Sequence, residues 1–218
     1  MPPRKKEPLG VATLEDISRL ILHSHDLDET LRNIVALIAR RCGTEVCSIY
    51  LLGDDRETLV LRASHGLPKR AIGRVAMKVG EGLTGLVARE RRAIAVREPQ
   101  EHPLYRYFKE TGEERFHSFF GVPLLDRGEP VGVLVLQTRE PREFTPEETA
   151  ALSSIAYQVA AIVVNARLLD TVRRTEEAAR HYAGELERLR RGGGAARRRA
   201  RGAAASRSCA ATGPARGS

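Results

Sequence analysis

Tryptophan is absent from this chain of 218 residues, and there are only five phenylalanines and five tyrosines. A core built from such a chain rests on Val, Leu, Ile and Ala. Cysteine is scarce as well. Cys42, Cys47 and Cys209 are odd in number and lack C-x-x-C spacing, which argues against a disulfide framework and against a zinc site. No apolar run approaches about 18 residues, so no membrane span is expected. The charged start has no apolar stretch behind it and does not read as a signal peptide. The expected location is the cytoplasm. Acidic residues are missing from the far end: Glu187 is the last, and seven arginines follow from Arg191 to Arg216. Without those seven, the net charge of +8 falls to +1 for residues 1–190, so the basic character belongs to the tail. Composition therefore makes no case for specific nucleic-acid binding. The length suits one domain with a sizeable core and is short for two.

Apolar periodicity then divides the chain. Thr13-Leu-Glu-Asp16 has the form of a capping box, followed by Leu14, Ile17, Leu20 and Ile21 at helical spacing as far as His23. A second helix begins near Asp28, with Leu31, Ile34, Val35 and Ile38 on one face and Gly43 as its stop. The period next changes to that of strands. Residues 46–52 and 58–64, joined by Gly53-Asp-Asp-Arg-Glu57, read as an antiparallel hairpin. Strict alternation would put Ile49, Leu51, Leu59, Leu61 and Ala63 on one face. Ser48, Tyr50, Arg62 and Ser64 would then share the other.

A short strand is expected at Val75–Lys78, a glycine-rich start at Gly80-Glu-Gly-Leu-Thr-Gly85 opens a short helix through Arg91, and residues 93–96 resume extended structure. Residues 97–114, with Pro99, Pro103 and Gly112, read as a long loop with a helical turn; inside a compact domain such loops tend to be functional. A second hairpin covers 118–125 and 130–137. Its second strand is apolar on both faces, as for a sheet centre, and Pro123 in its first strand requires a bulge or a free edge.

The last helix starts at Phe144-Thr-Pro-Glu-Glu148, with Thr145 as cap and Pro146 in the first helical position. Leu152, Ile155, Val159, Ile162, Ala166 and Leu169 recur at spacings of three and four, a heptad seam. The seam resumes at Val172 after a stammer and runs through Ala179, Tyr182, Leu186 and Leu189. From Pro146 to Arg190 this helix would be roughly 67 Å long, against about 35–40 Å for the width of a domain of this size. Its second half is expected to extend past the domain, with a parallel homodimer as the simplest cover for its seam and a solvated, frayed helix as the alternative. Residues 191–218 are nearly all Gly, Ala and Arg and should be a disordered tail with weak, nonspecific affinity for polyanions.

The order helix–helix–hairpin–variable middle–hairpin–long helix resembles a GAF domain, and particular residues carry the likeness. Val46-Cys-Ser-Ile-Tyr-Leu-Leu52, Leu61-Arg-Ala-Ser-His-Gly-Leu67, Val79-Gly-Glu-Gly-Leu-Thr-Gly-Leu-Val87, Phe116-His-Ser-Phe-Phe-Gly-Val-Pro-Leu124 and the stretch Gly132–Phe144 are similar to the amino-terminal GAF domain of the nitrogen-related phosphoenolpyruvate-protein phosphotransferases. The likeness covers about Leu14 to Val172. It implies an α+β fold: a six-stranded antiparallel sheet with helices on both sides, then a long C-terminal helix and a disordered tail. The corresponding division is a flexible start at 1–12, the GAF domain at 13–170, a coiled-coil linker helix at 171–190 and the tail. In those enzymes the domain is thought to gate autophosphorylation in response to glutamine and 2-oxoglutarate. The phosphohistidine and phosphoenolpyruvate-binding domains have no counterpart in this sequence. The resemblance thus implies a sensor and dimerising module rather than an enzyme, with no cofactor. The same physics would serve a GAF sensor of a transcriptional activator or a histidine kinase, a ligand-free dimerisation module, or a small enzyme of the sulfoxide-reductase kind.

Chemical motifs are sparse. The six histidines show no metal-ligand spacing, and no metal site is expected. The glycines of 80–85 lack the Gly-Lys-Ser/Thr ending of a phosphate loop and suit a tight turn into a helix, whose free N–H groups could hold a carboxylate. Cys42 and Cys47 are expected as small buried hydrophobes. Candidate ligand contacts are Arg62, Glu81, Thr84, Tyr105, His117 and Ser118, with Arg62 offering a planar fork to an anionic ligand. Candidate dimer-seam residues are Leu152, Ile155, Val159, Ile162, Leu169 and Val172.

Overall fold

The computed structural model describes Asp16 and residues 26–210, with side chains as far as Tyr182. The helix expected at 13–23 lies outside the described residues except for Asp16, which is helical and pairs with Arg41 at 2.9 Å. The chain divides into two units, 1–166 and 167–218.

In the first unit the described elements run α1 (Leu27–Cys42), β1 (Val46–Leu52), β2 (Thr58–His65), β3 (Ala76–Lys78), α2 (Gly82–Glu90), β4 (Ile94–Arg97), β5 (Ser118–Asp126), β6 (Glu129–Thr138) and the start of α3 at Pro146. Local chemistry sets the helix ends. Asp26 caps α1 by accepting from the Asp28 amide at 3.0 Å, and Gly43 ends it in the left-handed region at φ 62°. The capping box of α3 is closed in both directions: Glu148 N donates to Thr145 Oγ1 at 3.1 Å, and Thr145 N to Glu148 Oε2 at 3.0 Å.

The strands form one antiparallel sheet in the order β3-β2-β1-β6-β5-β4. β1 and β6 hold its centre and are almost wholly buried, as their apolar runs require. Their close pairing needs Gly132, where an added Cβ would lie 2.4 Å from Tyr50 O. Pro123 sits past the reach of β4, whose pairing stops at Gly121, and just before a bulge at Leu124/Leu125. It therefore removes no needed ladder bond.

Each face of the sheet has its own core. On one, Cys47, Ile49, Leu51, Ala63, Phe120, Leu134 and Leu136 pack against Leu31, Ile34 and Ile38 of α1 and Leu152, Ile155 and Val159 of α3. On the other, Val46, Tyr50, Leu59, Leu61, Phe119, Val133 and Val135 pack against Leu83 and Val87 of α2.

The face assignment from strict alternation fails in β2. Ile49 pairs with Ala63, but Tyr50 pairs with Leu61, so Arg62 is the extra residue of a bulge. Leu59 and Leu61 therefore share the face of Tyr50, and only Ala63 stays with Ile49. The bulge also redirects Arg62, whose guanidinium meets Asp28 of α1 at 2.8 Å.

In α3 the sequence seam changes character along its length. Leu152, Ile155 and Val159 are fully buried and Ile162 is partly so, all within the first unit's own core. In the second unit Leu168, Leu169, Val172 and Tyr182 are exposed. Helical backbone continues through residues 191–210 to Ala210, where sequence composition predicts no regular structure; Ala and Arg are strong helix formers. The remaining tail residues, 211–218, lie outside the described ones. One stretch of Pro146–Tyr182 is also long and apolar enough to cross a bilayer by length and composition, because its Leu, Ile and Val raise the average although Ser, Gln, Asn and Arg interrupt the apolar run. Its row Leu152, Ile155, Ala156, Val159, Ala160 and Val163 is buried in the core, which is the ordinary use of such a helix in a globular domain.

Candidate functional site

The second face of the sheet is not filled by side chains alone. Between the sheet, the start of α2 and the loop from β4 to β5 lies a cavity of about 30 Å³, room for one or two waters. Tyr50, Phe119 and Gln137 form its floor, Gly82 and Thr84 one wall, and Tyr105, Arg106, Phe108 and Glu113 of the loop its roof. Strand alternation explains the floor: Val133, Val135 and Gln137 point to the same side of β6. Gln137 is therefore an amide in a row otherwise occupied by valines.

The roof is held by its own hydrogen bonds. Gln100 Nε2 donates to Phe116 O at 2.7 Å and to Glu114 O at 3.1 Å. Glu98 and His117 are joined side chain to side chain at 2.7 Å and through Glu98 N to His117 O at 3.0 Å. Thr111 Oγ1 donates to Phe108 O at 2.7 Å and lies 3.0 Å from Glu113 Oε2. At the rim Arg106 is in contact with Glu81, the N-cap residue of α2, and its guanidinium lies 5.2 Å from the Phe108 ring centre. Glu81 is fixed in turn by accepting from Lys78 N at 2.8 Å.

Inside, the polar groups are incompletely satisfied. Burial is the main cause that raises the Glu113 carboxyl above its ordinary range, opposed by hydrogen bonds from Thr111 and Gln137, with Glu114 adding to the rise. The Gln137 amide thus acts on Glu113, and its own Oε1 is buried without a partner. The Tyr105 hydroxyl is likewise buried and unpartnered. Burial raises Tyr50 and Tyr105 as well, with Glu113 as the next cause for each. Unpaired buried polar atoms cost roughly 1–3 kcal/mol each. Two of them in one cavity are a feature to be explained by something that can pair with them.

Of the candidates from sequence, Thr84 and Tyr105 line the cavity and Glu81 stands at its rim. The other three lie elsewhere. Arg62 is turned to Asp28 by the bulge in β2, and that pair is 44% and 42% exposed. His117 faces Glu98. Ser118 is buried against Thr138, whose hydroxyl donates to Glu140 O at 2.6 Å, and alternation along β5 puts it on the opposite side of the sheet from Phe119. Sequence reasoning did not select Tyr50, Arg106, Glu113 or Gln137 as ligand contacts. A signal existed for Gln137 in its break of an apolar row. None existed for Glu113, whose role depends on how the loop folds back. Among the described residues no group of three His, Cys, Asp or Glu side chains could hold a metal ion.

Known proteins place this architecture. The GAF domain family model matches residues 24–164. A protein of Escherichia coli strain K12 named as a phosphoenolpyruvate-dependent phosphotransferase system is 37% identical over 155 residues, 71% of this chain and 21% of its own length. The Nif-specific regulatory protein of Azospirillum lipoferum is 31% identical over 133 residues, 59% of this chain and 21% of its own. The chain thus spans about a fifth of the length of these relatives. The solved GAF domain of a phosphoenolpyruvate-protein phosphotransferase from Coxiella burnetii superposes with a TM-score of 0.69 at 31% identity, covering 74% of this chain and 96% of that one. Fold and sequence agree: the chain belongs to the GAF domain family.

Proposed function

We propose that this chain is a regulatory module that senses a small polar metabolite in the cavity between the sheet and the 98–117 loop. The observation that carries this reading is the pair of unpartnered polar atoms, Gln137 Oε1 and Tyr105 OH, in the cavity that Glu113 also lines. A stable domain without a ligand gains nothing from them. The relatives give the reading its context. A phosphotransferase-system protein and a nitrogen-fixation regulator both contain a segment similar to this chain. Glutamine and 2-oxoglutarate, the nitrogen-status metabolites implied by the resemblance, are the ligands to test.

The cavity is smaller than either metabolite, so ligand entry has to displace the roof. Arg106 and Phe108 are the groups that must yield, and the Arg106–Glu81 contact is the latch. A ligand carboxylate could replace Glu81 on Arg106 with a bidentate pair. Displacement of the roof is then the conformational event available for signalling, and differential binding to the open and closed arrangements would drive it.

The module acts in the cytoplasm as part of a signalling protein and performs no chemistry of its own. In the second unit, the exposed Leu168, Leu169 and Val172 favour a homodimer through this part of the helix. A phosphoenolpyruvate-dependent phosphotransferase is the output that the 37% relatives favour, and the resemblance narrows it to the nitrogen-related kind. A regulator of the Nif-specific kind is the second reading, favoured by the 31% identity to the Azospirillum protein.

A thermal-shift measurement on the full chain tests the reading. Glutamine or 2-oxoglutarate at about 100 times its Kd should add roughly 2.7 kcal/mol of stability and raise Tm. An unchanged Tm with both at high millimolar concentration would remove the sensing role and leave a structural module.

A further inference from the structure

Five large apolar side chains of α3 are exposed: Tyr157, Leu168, Leu169, Val172 and Tyr182, each by at least 45%. Heptads that place Asn165, Val172 and Ala179 at a put Leu168, Thr175 and Tyr182 at d. All five exposed side chains then fall at a, d, e or g, with Leu169 at e and Tyr157 at g. The seven Asp, Glu and Arg residues of 149–182 fall at b, c, e or f, and none at a or d. Four of them pair along the helix itself, Asp170 with Arg174 at 2.7 Å and Glu176 with Arg180 at 3.7 Å. In the first unit the side chains buried in the core, Leu152, Ile155, Ala156, Val159 and Val163, occupy b, e and f. Ser154, Ala161 and Asn165, at d, d and a, are exposed.

We infer that α3 carries a second seam, distinct from the one it buries in its own core, which pairs with the same helix of a second copy of this chain. The pair is parallel and in register, and Asn165 sets the register. This rests on the homodimer proposed above and deepens it by naming its face; it does not rest on the sensing role.

The period names the kind of partner. Spacings of three and four through 165, 168, 172, 175, 179 and 182 keep a row in contact with another helix along a left-handed supercoil. A flat or irregular partner has no need of that period. A bilayer fits poorly, because charges occupy the other sides of the same turns and are costly in lipid. Asn165 names the helix that fits. An amide at an a position is satisfied by a second amide, one donating and the other accepting. In a parallel pair without slippage, the group it meets is Asn165 of the partner subunit. A slip of one heptad sets it against Val172 and leaves the amide unpaired, so a single polar a residue trades stability for one register. The heptads run unbroken from Ser154 to Tyr182. The stammer expected near Leu169 is then a change from the core row to the pairing row, not a fault in either.

Sedimentation of the full chain reads association, and a dimer is expected. Val172→Glu should weaken it by about tenfold or more, whereas Arg174→Glu, at c, should leave it within about twofold. Both side chains are exposed in the single chain, so neither change disturbs its core, and thermal melts check this. Asn165→Leu should tighten the dimer by about tenfold, since the polar a residue costs stability. Disulfide trapping reads the register. Cys42 and Cys47 are buried, so Cys209→Ser supplies the background. In it, Leu168→Cys and Val172→Cys should each crosslink to their own kind at least about fivefold faster than Arg173→Cys, because only seam positions come within disulfide reach. Equal trapping at Arg173→Cys and Val172→Cys would overturn the seam and leave the homodimer standing. So would a dimer unaffected by Val172→Glu. A dimer no tighter in Asn165→Leu would overturn the role of Asn165. A chain that stays monomeric at every concentration would overturn the seam and the homodimer together.

Discussion

The two faces of the sheet are made from the same strands and differ in what they tolerate. The face toward α1 and α3 is closed by aliphatic side chains, with Leu134 and Leu136 of β6 fully buried among them. The face toward α2 begins the same way, with Val133 and Val135, and then admits Gln137, Tyr50, Tyr105 and Glu113 around a cavity. One residue's shift along β6 separates a side chain that only packs from one whose polar atom has no partner. The contrast teaches that close packing and a polar cavity can be divided between the two sides of one strand. The long loop over the second side lets a buried polar cluster exist without exposing the first.

The largest effect that sharpens this contrast should come from the packed face. Leu134→Ala should cost about 2–5 kcal/mol in urea unfolding, since the deleted atoms leave a void between sheet and helices. A loss under about 1 kcal/mol would mean that this face is as plastic as the other. Glu113→Gln tests the cavity face and should be neutral or stabilising by up to about 1 kcal/mol at neutral pH, because it removes a desolvated carboxyl while keeping an acceptor for Thr111.

The sign of the pH dependence follows from the direction of the shift. Glu113 is raised, so the folded state holds its proton more tightly; its contribution is fully present below the ordinary glutamate range and is lost as pH rises through the folded value. The groups facing it are Glu114, Tyr50, Tyr105, Gln137 and Thr111, and Gln137 and Thr111 oppose the rise by hydrogen bonding. Asp55, in the turn between β1 and β2, behaves in the opposite way. Hydrogen bonds from the Thr58 side chain and from the Glu57 and Thr58 amides lower it, so its contribution is present above the ordinary aspartate range and lost on acidification. Melts of the Glu113→Gln variant from pH 5 to 8 should therefore lack part of the decline with rising pH seen in the unaltered chain. A parallel pair of curves would show that Glu113 is not held in a desolvated site.

The smallest expected effect belongs to Arg62→Ala. The residue's partner is the exposed Asp28 carboxylate, so stability should change by less than about 1 kcal/mol, and ligand affinity in calorimetry should not change. A weakened affinity would return Arg62 to the site and contradict the bulge that turns it away.

The fold was legible because its elements announce themselves locally. The Thr145 box, the Gly43 stop and the two-sided apolar run of β6 each carry their own signal in adjacent residues. The site was legible only in part. Thr84 and Tyr105 were within reach because they lie in a glycine-rich helix start and an unusual loop. Arg62 misled because a bulge is one residue of register, which alternation cannot see until the partner strand is known. Glu113 and Gln137 meet across residues that are far apart in the chain, and the roof loop that joins them has no periodicity to read. The seam of α3 shows the same limit. Its spacing is uniform from Leu152 to Leu169, yet the first unit's core covers Leu152, Ile155 and Val159 while Leu169 is 59% exposed.

On the proposed function, the Gln137 side of the sheet holds a small-molecule site and the Leu134 side does not. The most direct test is a proton–nitrogen NMR titration of the full chain with glutamine, following the Gln137 side-chain amide, the backbone amide of Thr84 and methyl groups of the packed face. The account predicts saturable shifts of Gln137 and Thr84, with the Leu134 and Leu136 methyls nearly unmoved. Shifts spread equally over both faces, or none at Gln137 at saturating ligand, would contradict it.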